Sequence, residues 1–111
     1  MQIVVKDGSD VPDLARILAP GRVTVVDFYA DWCGPCKDVE RHLAQKLTGR
    51  ADIAVRKLNI MTWDSALAKH YVSKLPSMPV QIIFGKDGRK IETISGLDLA
   101  ALDRAIDKAA R

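Results

Sequence analysis

The sequence predicts an α/β fold in which helices cover both faces of a central mixed β-sheet. Residues 23–29 form a nearly uninterrupted apolar run, which is typical of a central strand that is buried on both faces. Predicted strands and helices alternate as far as residue 71, and this alternation indicates crossover connections between parallel strands. Asp87-Gly88 separates two later strand patterns and predicts a hairpin, which adds an antiparallel pair.

The first half of the chain supplies the elements around this central strand. A short strand at 3–5 precedes a helix that we expect to begin at a cap on Asp10, with Pro12 in its first turn, and to end near residue 18. The strand at 23–29 leads into a second helix, which begins at two cysteines and ends near residue 47. The apolar positions of this helix recur every four residues, at Val39, Leu43 and Leu47.

The second half completes a predicted order of β-α-β-α-β-α-β-β-α. A third strand at 53–58 precedes a helix at about 62–71, and we expect Trp63 to lie in the core because it shares a helical face with Leu67 and Tyr71. The remaining predicted elements are a loop at 75–79, strands at 80–84 and 90–95, and a final helix at 99–110 capped by Asp98.

Length and composition limit the classes of protein to which the chain can belong. With 111 residues, we expect one domain spanning 1–111. The net charge of +3 comes from scattered basic residues, so we expect no binding to nucleic acid. The expected state is a monomer. No stretch is apolar enough to span a membrane, and the N-terminus lacks the features of a signal peptide. The expected location is cytoplasmic, or periplasmic if an export signal has been removed.

Cys33 and Cys36 are the only cysteines, and they lie where a strand passes into a helix. Their spacing of three places both sulfurs on one helical face, so a disulfide can open and close there without rearranging the fold. The enclosed loop is too small to be a useful structural staple, which favours redox chemistry or metal binding. Zinc requires four ligands, and only His42 and His70 could join the cysteines, so a zinc-binding domain is the less favoured alternative.

The position of Cys33 predicts a reactive thiolate. If Cys33 is the N-cap of the helix, Gly34 and Pro35 fill the next two positions, and the N–H of Cys36 is the first-turn donor that remains. That N–H and the helix dipole both favour negative charge on the sulfur, so we expect the pKa of Cys33 to lie below the free-thiol value of about 8.5. Cys36, one turn further on, is expected to be more buried and to resolve the mixed disulfide.

Asp27 interrupts the apolar strand that precedes the cysteines. A buried carboxylate is costly unless it is paired or protonated, so burial should raise its pKa. One interpretation is that backbone donors or an ion pair with Lys57 satisfy this carboxylate, and the other is a functional role.

Several segments resemble thioredoxin, in the order and at the spacing of that family. The five-residue segment Trp32-Cys33-Gly34-Pro35-Cys36 is the most specific match. The other matching positions are Val26-Asp27-Phe28, Ala30, Lys37, Lys57-Leu58-Asn59-Ile60, Pro79, Gly88 and Gly96. The resemblance implies a thioredoxin fold and a thiol:disulfide oxidoreductase, a protein-disulfide reductase active in cell redox homeostasis and electron transport. Since the dithiol itself carries the electrons, no bound cofactor is required.

The resemblance also implies roles for individual residues. Asp27 would take the Cys36 proton with Lys57 nearby, and a cis Met78-Pro79 bond would present the backbone of Met78 to an extended substrate chain. Trp32 and Met78 would form an apolar docking surface beside the turn at Gly34 and Pro35. The implied partners are disulfide-containing proteins as substrates and either a reductase or a membrane electron donor.

This chain departs from the thioredoxin pattern at four positions. Tyr29 stands where a second tryptophan is usual, and Arg41 stands where a proline often kinks the helix. Met78 and Val80 flank Pro79, where the family favours isoleucine and threonine. A second resemblance, to the C-terminal domain of the membrane-bound thiol:disulfide interchange protein, a periplasmic reductant, rests on Tyr29-Ala30-Asp31-Trp32-Cys33, Cys36-Lys37 and Glu40. A non-enzymatic module that docks a partner through Trp32, Met78 and Pro79 remains the alternative to an enzyme.

Overall fold

A five-stranded mixed sheet with the strand order β1-β3-β2-β4-β5 forms the centre of the computed structural model, which describes residues 1–111. Strands β1, β2 and β3 are parallel, whereas β4 pairs antiparallel with both β2 and β5. The strands are β1 (Gln2–Val5), β2 (Val23–Tyr29), β3 (Ile53–Asn59), β4 (Val80–Phe84) and β5 (Lys90–Ser95), and the α-helices are α1 (Gly34–Leu47), α2 (Ala66–Tyr71) and α3 (Leu99–Ala109).

The predicted fold class is confirmed, because two apolar layers cover the two faces of this sheet. Alternate residues of β2 point to opposite faces, as the pleat requires. Val26 and Phe28 pack with α2 in one cluster, and Val23 and Val25 pack with α1 and α3 in the other. Asp27 therefore points toward the α1 side of the sheet.

The first predicted helix was wrong in both type and position. Residues Leu14–Ile17 form a single turn of 3-10 helix, and its N-cap is Asp13, whose Oδ1 accepts the N–H of Ala15 at 2.9 Å. Asp10 instead contacts His70, with 2.8 Å between Oδ1 and Nδ1. With two aspartates three residues apart, the chain uses the one that directly precedes the apolar turn.

Helix α2 begins four residues later than predicted. Ser65 is its N-cap, and the Ser65 Oγ accepts the N–H of Ala68 at 3.0 Å. The hydroxyl of Thr62 accepts the N–H of Asp64 at 3.2 Å, so residues 62–65 form a turn instead of a helical start. Trp63 consequently leaves the helix and is 40% exposed, and the prediction of a core position was wrong.

The hairpin and the last helix form as predicted. The N–H of Gly85 donates to the carbonyl of Arg89 at 2.8 Å, and Gly88 takes a φ of 83° in the turn. Helix α3 is capped by Asp98, whose Oδ1 accepts the N–H of Ala101 at 2.9 Å.

Substitution of Gly8 by alanine is expected to destabilise the protein by roughly 1–3 kcal/mol. Gly8 has a φ of 77°, and an added Cβ would lie 2.9 Å from the Cβ of Ser65 and 3.0 Å from the carbonyl oxygen of Ile60. The free energy of unfolding in urea measures the effect. Gly21→Ala is the matched control, since Gly21 has a φ of 75° with no atom within 4 Å of the new Cβ. Equal losses in the two variants would show that crowding at Gly8 contributes nothing.

Candidate active site

The two cysteines lie at the N-terminus of α1 and form a disulfide with a Cα–Cα distance of 5.3 Å. Cys33 is the N-cap, in an extended conformation, and its Sγ accepts the N–H of Cys36 at 3.2 Å. Pro35 has no N–H, so a single first-turn amide, that of Cys36, donates a hydrogen bond to this sulfur. The predicted geometry of the cap is confirmed.

Both cysteines are almost fully buried, although the turn between them is exposed. Cys33 is 5% exposed and Cys36 is 4% exposed, so the expected difference in burial is marginal in the bridged form. Both pack in the same apolar cluster as Phe28 and Ala30. Gly34 and Pro35 are exposed, and a partner can approach the bridge across them.

Asp27, on the strand that precedes the cysteines, is an unpaired, fully buried carboxyl group. Its exposure is 0%, and neither of its oxygens accepts a hydrogen bond. The interpretation that backbone donors or an ion pair with Lys57 satisfy Asp27 was wrong, since neither contact is made, and its functional role stays a prediction. Burial raises the pKa of Asp27 from 3.8 to about 7, while the Lys57 ammonium and the facing Gln81 amide lower it by less and the Glu40 charge raises it further.

Lys57 lies beside Asp27 on the neighbouring strand, in direct register across the β2–β3 pair. It is 7% exposed, and its Nζ donates to Oε2 of Glu40 at 2.9 Å. The same ammonium lies 4.3 Å from the ring centroid of Tyr29, a cation–π distance. Glu40 was not among the predicted site residues, although its position one helical turn after Cys36 is a signal that could have identified it.

Trp32, which directly precedes Cys33, lies with two further exposed apolar side chains, those of Met61 and Trp63. Trp32 is 54% exposed, its indole Nε1 donates to the Met61 carbonyl at 2.7 Å, and its ring lies 6.2 Å from that of Trp63. Met61 is 45% exposed and has a φ of 65°. Sequence reasoning found Trp32 but missed the other two. Trp63 is exposed because α2 begins only at Ala66, whereas Met61 lies before the predicted helix.

The Met78–Pro79 peptide bond is cis, as the resemblance implied. Pro79 is buried and Met78 is half-buried against the cluster that holds the cysteines. The next residue, Val80, pairs with Phe28 near the end of β2, which places this bond beside the cysteine turn. Neither backbone polar group of Met78 makes a hydrogen bond.

The two histidines lie apart from the cysteines. His42 Nε2 contacts Asp103 Oδ1 at 2.7 Å, and His70 contacts Asp10. No group of three or more histidine, cysteine, aspartate or glutamate residues is arranged to hold a metal ion. None of the helices has both the length and the apolar character needed to cross a bilayer.

Comparison with known proteins connects this geometry to a family. The family model named Thioredoxin matches residues 14–108. The chain belongs to the thioredoxin family. It is 32% identical over 103 residues to thioredoxin-1 of Schizosaccharomyces pombe, covering 93% of this chain and 96% of that protein. It is 38% identical over 95 residues to a Mycobacterium bovis thioredoxin, covering 85% and 76%. Oxidised mitochondrial thioredoxin 3 of Saccharomyces cerevisiae matches with a TM-score of 0.72 and 26% identity, covering 97% and 94%.

Membership of the thioredoxin family and the bridged cysteines together identify the activity. The protein is a thiol:disulfide oxidoreductase that reduces protein disulfides by dithiol–disulfide exchange through Cys33 and Cys36. Thioredoxins act on disulfide-containing substrates and are reduced by thioredoxin reductase. The predictions of fold, family and enzyme class are confirmed, whereas the roles of the individual site residues stay predictions.

Proposed function

We propose that this thioredoxin-family enzyme reduces disulfides in extended protein segments, with Cys33 as the nucleophile and Cys36 as the resolving thiol. The observation that carries the assignment is the 3.2 Å contact from the Cys36 N–H to Cys33 Sγ at the start of α1. In the dithiol form, this donor and the positive end of the helix favour a thiolate at Cys33. Cys36 is itself inside the first turn and accepts no comparable hydrogen bond.

The reaction consists of two exchanges. The Cys33 thiolate attacks one sulfur of the substrate disulfide, a mixed disulfide forms, and the other substrate sulfur leaves as a thiolate that takes up a proton. Cys36 then loses its proton and attacks Cys33 Sγ, which releases the second substrate thiolate. The enzyme is left with the Cys33–Cys36 disulfide, having transferred two electrons to the substrate.

Asp27 is the proposed acceptor of the Cys36 proton. A carboxyl group with a pKa of about 7 exists in both protonation states near neutral pH, which suits an acid–base role at that pH. Its two oxygens have no other hydrogen-bond donor. Lys57 is the proposed partner that favours the charged form of Asp27 without pairing with it directly.

The proposed substrate surface surrounds the exposed turn at Gly34 and Pro35. The free N–H and C=O of Met78 can pair with one residue of an extended substrate chain, and buried Pro79 fixes that backbone beside the bridge. Trp32, 54% exposed, supplies apolar area for the substrate side chains that flank the attacked cysteine.

Electrons are proposed to come from a thioredoxin reductase, with a membrane donor as the alternative. We expect residues 1–111 to act as one domain and as a monomer, without nucleic acid. The cytoplasmic or periplasmic location stays a prediction.

Equilibration with defined ratios of reduced and oxidised glutathione tests the direction of exchange. Thioredoxin itself has a reduction potential of about −270 mV and protein disulfide isomerase about −180 mV, and we expect this enzyme to lie nearer the first value. The physical reason is that a single amide stabilises the Cys33 thiolate. The reduced form is therefore favoured only modestly over the disulfide, which keeps the potential low. A potential above about −180 mV would identify an oxidant and contradict the proposal.

A further inference from the structure

Two carboxyl groups, those of Asp27 and Glu40, lie near the Lys57 ammonium, which forms an ion pair only with Glu40. Asp27 is its neighbour in register on β2, and the side chains of both residues point toward the α1 side of the sheet. Nevertheless Lys57 Nζ lies 2.9 Å from Glu40 on α1 and forms no ion pair with Asp27. The ammonium therefore lies more than 4 Å from the Asp27 oxygens, close enough to act on their charge but not to pair with it.

Two contacts hold the ammonium in this position. The face of the Tyr29 ring lies 4.3 Å from Nζ, and the Glu40 carboxylate accepts its hydrogen bond. The Glu40 side chain is 50% exposed, whereas that of Lys57 is 8% exposed, so the ion pair reaches from solvent into the space beside Asp27. Half-exposed pairs of this kind add little to stability, and the effect of Glu40 lies in where it places the lysine.

We propose that Glu40 is a positioning residue that, together with Tyr29, holds the Lys57 ammonium away from Asp27 and thereby sets the affinity of Asp27 for the proton of the resolving thiol. The catalytic consequence rests on the proposed role of Asp27 as proton acceptor. The electrostatic part depends only on the contacts described above.

The groups that face Asp27 determine the sign of the expected change. They are Lys57 on β3, Glu40 on α1, Tyr29 on β2 and the uncharged Gln81 amide on β4. A cation that comes within 4–6 Å of a carboxylate lowers its pKa by about one to three units. Without the Glu40 charge, Lys57 is free to turn toward Asp27 and favour its ionised form.

Carboxyl carbon NMR of the oxidised protein measures the Asp27 titration directly. We expect Glu40→Gln to lower the pKa of Asp27 from about 7 by roughly one unit, and Lys57→Met to raise it. In the Lys57→Met background, Glu40→Gln should have less than about a third of its original effect. Asp38→Asn is the control, because it removes a negative charge from α1 without touching Lys57 and should leave the titration unchanged.

Two results would overturn the inference. One is an unchanged Asp27 titration in Glu40→Gln. The other is an equal effect of Glu40→Gln with and without Lys57, which would show that Glu40 acts through its own charge and not by positioning the lysine. Both variants conserve the size of the side chain, and Glu40 is exposed, so folding is preserved.

A kinetic measurement separates this inference from the proposed role of Asp27. In single turnovers, the pH midpoint for resolution of the mixed disulfide should fall in Glu40→Gln in parallel with the Asp27 titration. If Asp27→Asn leaves the rate of resolution unchanged, Asp27 is not the proton acceptor, whereas the NMR result for Glu40 still stands or fails by itself.

Discussion

Cys33→Ser is expected to lower the rate of protein-disulfide reduction by a factor of about 10³ or more, with no loss of folding. A serine hydroxyl is not ionised near neutral pH and cannot attack a disulfide. The serine Oγ can still accept the N–H of Cys36, so the cap of α1 persists. Reduction of insulin in the presence of dithiothreitol, followed by turbidity, measures the rate.

Cys36→Ser is the matched variant that separates the two sulfurs. It should retain the first exchange and accumulate the mixed disulfide, because nothing remains to attack Cys33. Mass spectrometry of the variant with a disulfide peptide should therefore find a covalent adduct on Cys33. An adduct that forms equally in Cys33→Ser, or a Cys33→Ser enzyme as fast as the wild type, would contradict the assigned roles.

Asp27→Asn is expected to stabilise the protein, and by more at high pH than at low pH. Folding raises the pKa of Asp27 from its ordinary value of 3.8 to about 7, so the folded protein binds this proton more tightly than the unfolded chain does. The contribution of Asp27 to stability is most favourable below pH 3.8. It declines as the pH rises from there to about 7 and is lowest above that value.

The difference between the two pKa values corresponds to roughly 4 kcal/mol above pH 7. We expect Asp27→Asn to raise the free energy of unfolding at pH 8 by about 2–3 kcal/mol more than at pH 5. Urea denaturation of the oxidised protein at both pH values tests this. Asp64→Asn, at an exposed aspartate, is the control for the loss of one negative charge. An equal gain from Asp27→Asn at both pH values would show that burial does not perturb this carboxyl group.

The elements whose signals are local could be predicted from the sequence. The apolar run of β2, the fourfold spacing in α1 and the Asp98 cap of α3 each depend on residues close together in the chain, and all three form as predicted. The two boundaries that were wrong lie where caps compete. The observed N-caps are Asp13, where Asp10 was predicted, and Ser65, which makes α2 begin later than predicted. Tertiary packing selects among nearby residues that can all cap a helix.

The site residues show the same contrast between local signals and tertiary packing. The Cys33 cap and the buried Asp27 follow from the positions of these residues within single elements. The pairing of Lys57 with Glu40 joins β3 to α1 across 17 residues, and composition gives no reason to prefer Glu40 over Asp27. Trp63 was misplaced for the same reason, since its exposure depends on where α2 begins.

Because β2 lies in the middle of the sheet, we expect the redox cycle at the cysteines to leave its backbone hydrogen bonds intact. Its backbone is hydrogen-bonded on one side by β3 and on the other by β4, whereas β1 and β5 each have a free edge. In deuterated buffer, β2 amides should exchange last, and at the same rate in the bridged and dithiol proteins, because opening the Cys33–Cys36 bond breaks no bond of the ladder. Each catalytic cycle can thus proceed without breaking the backbone hydrogen bonds of β2.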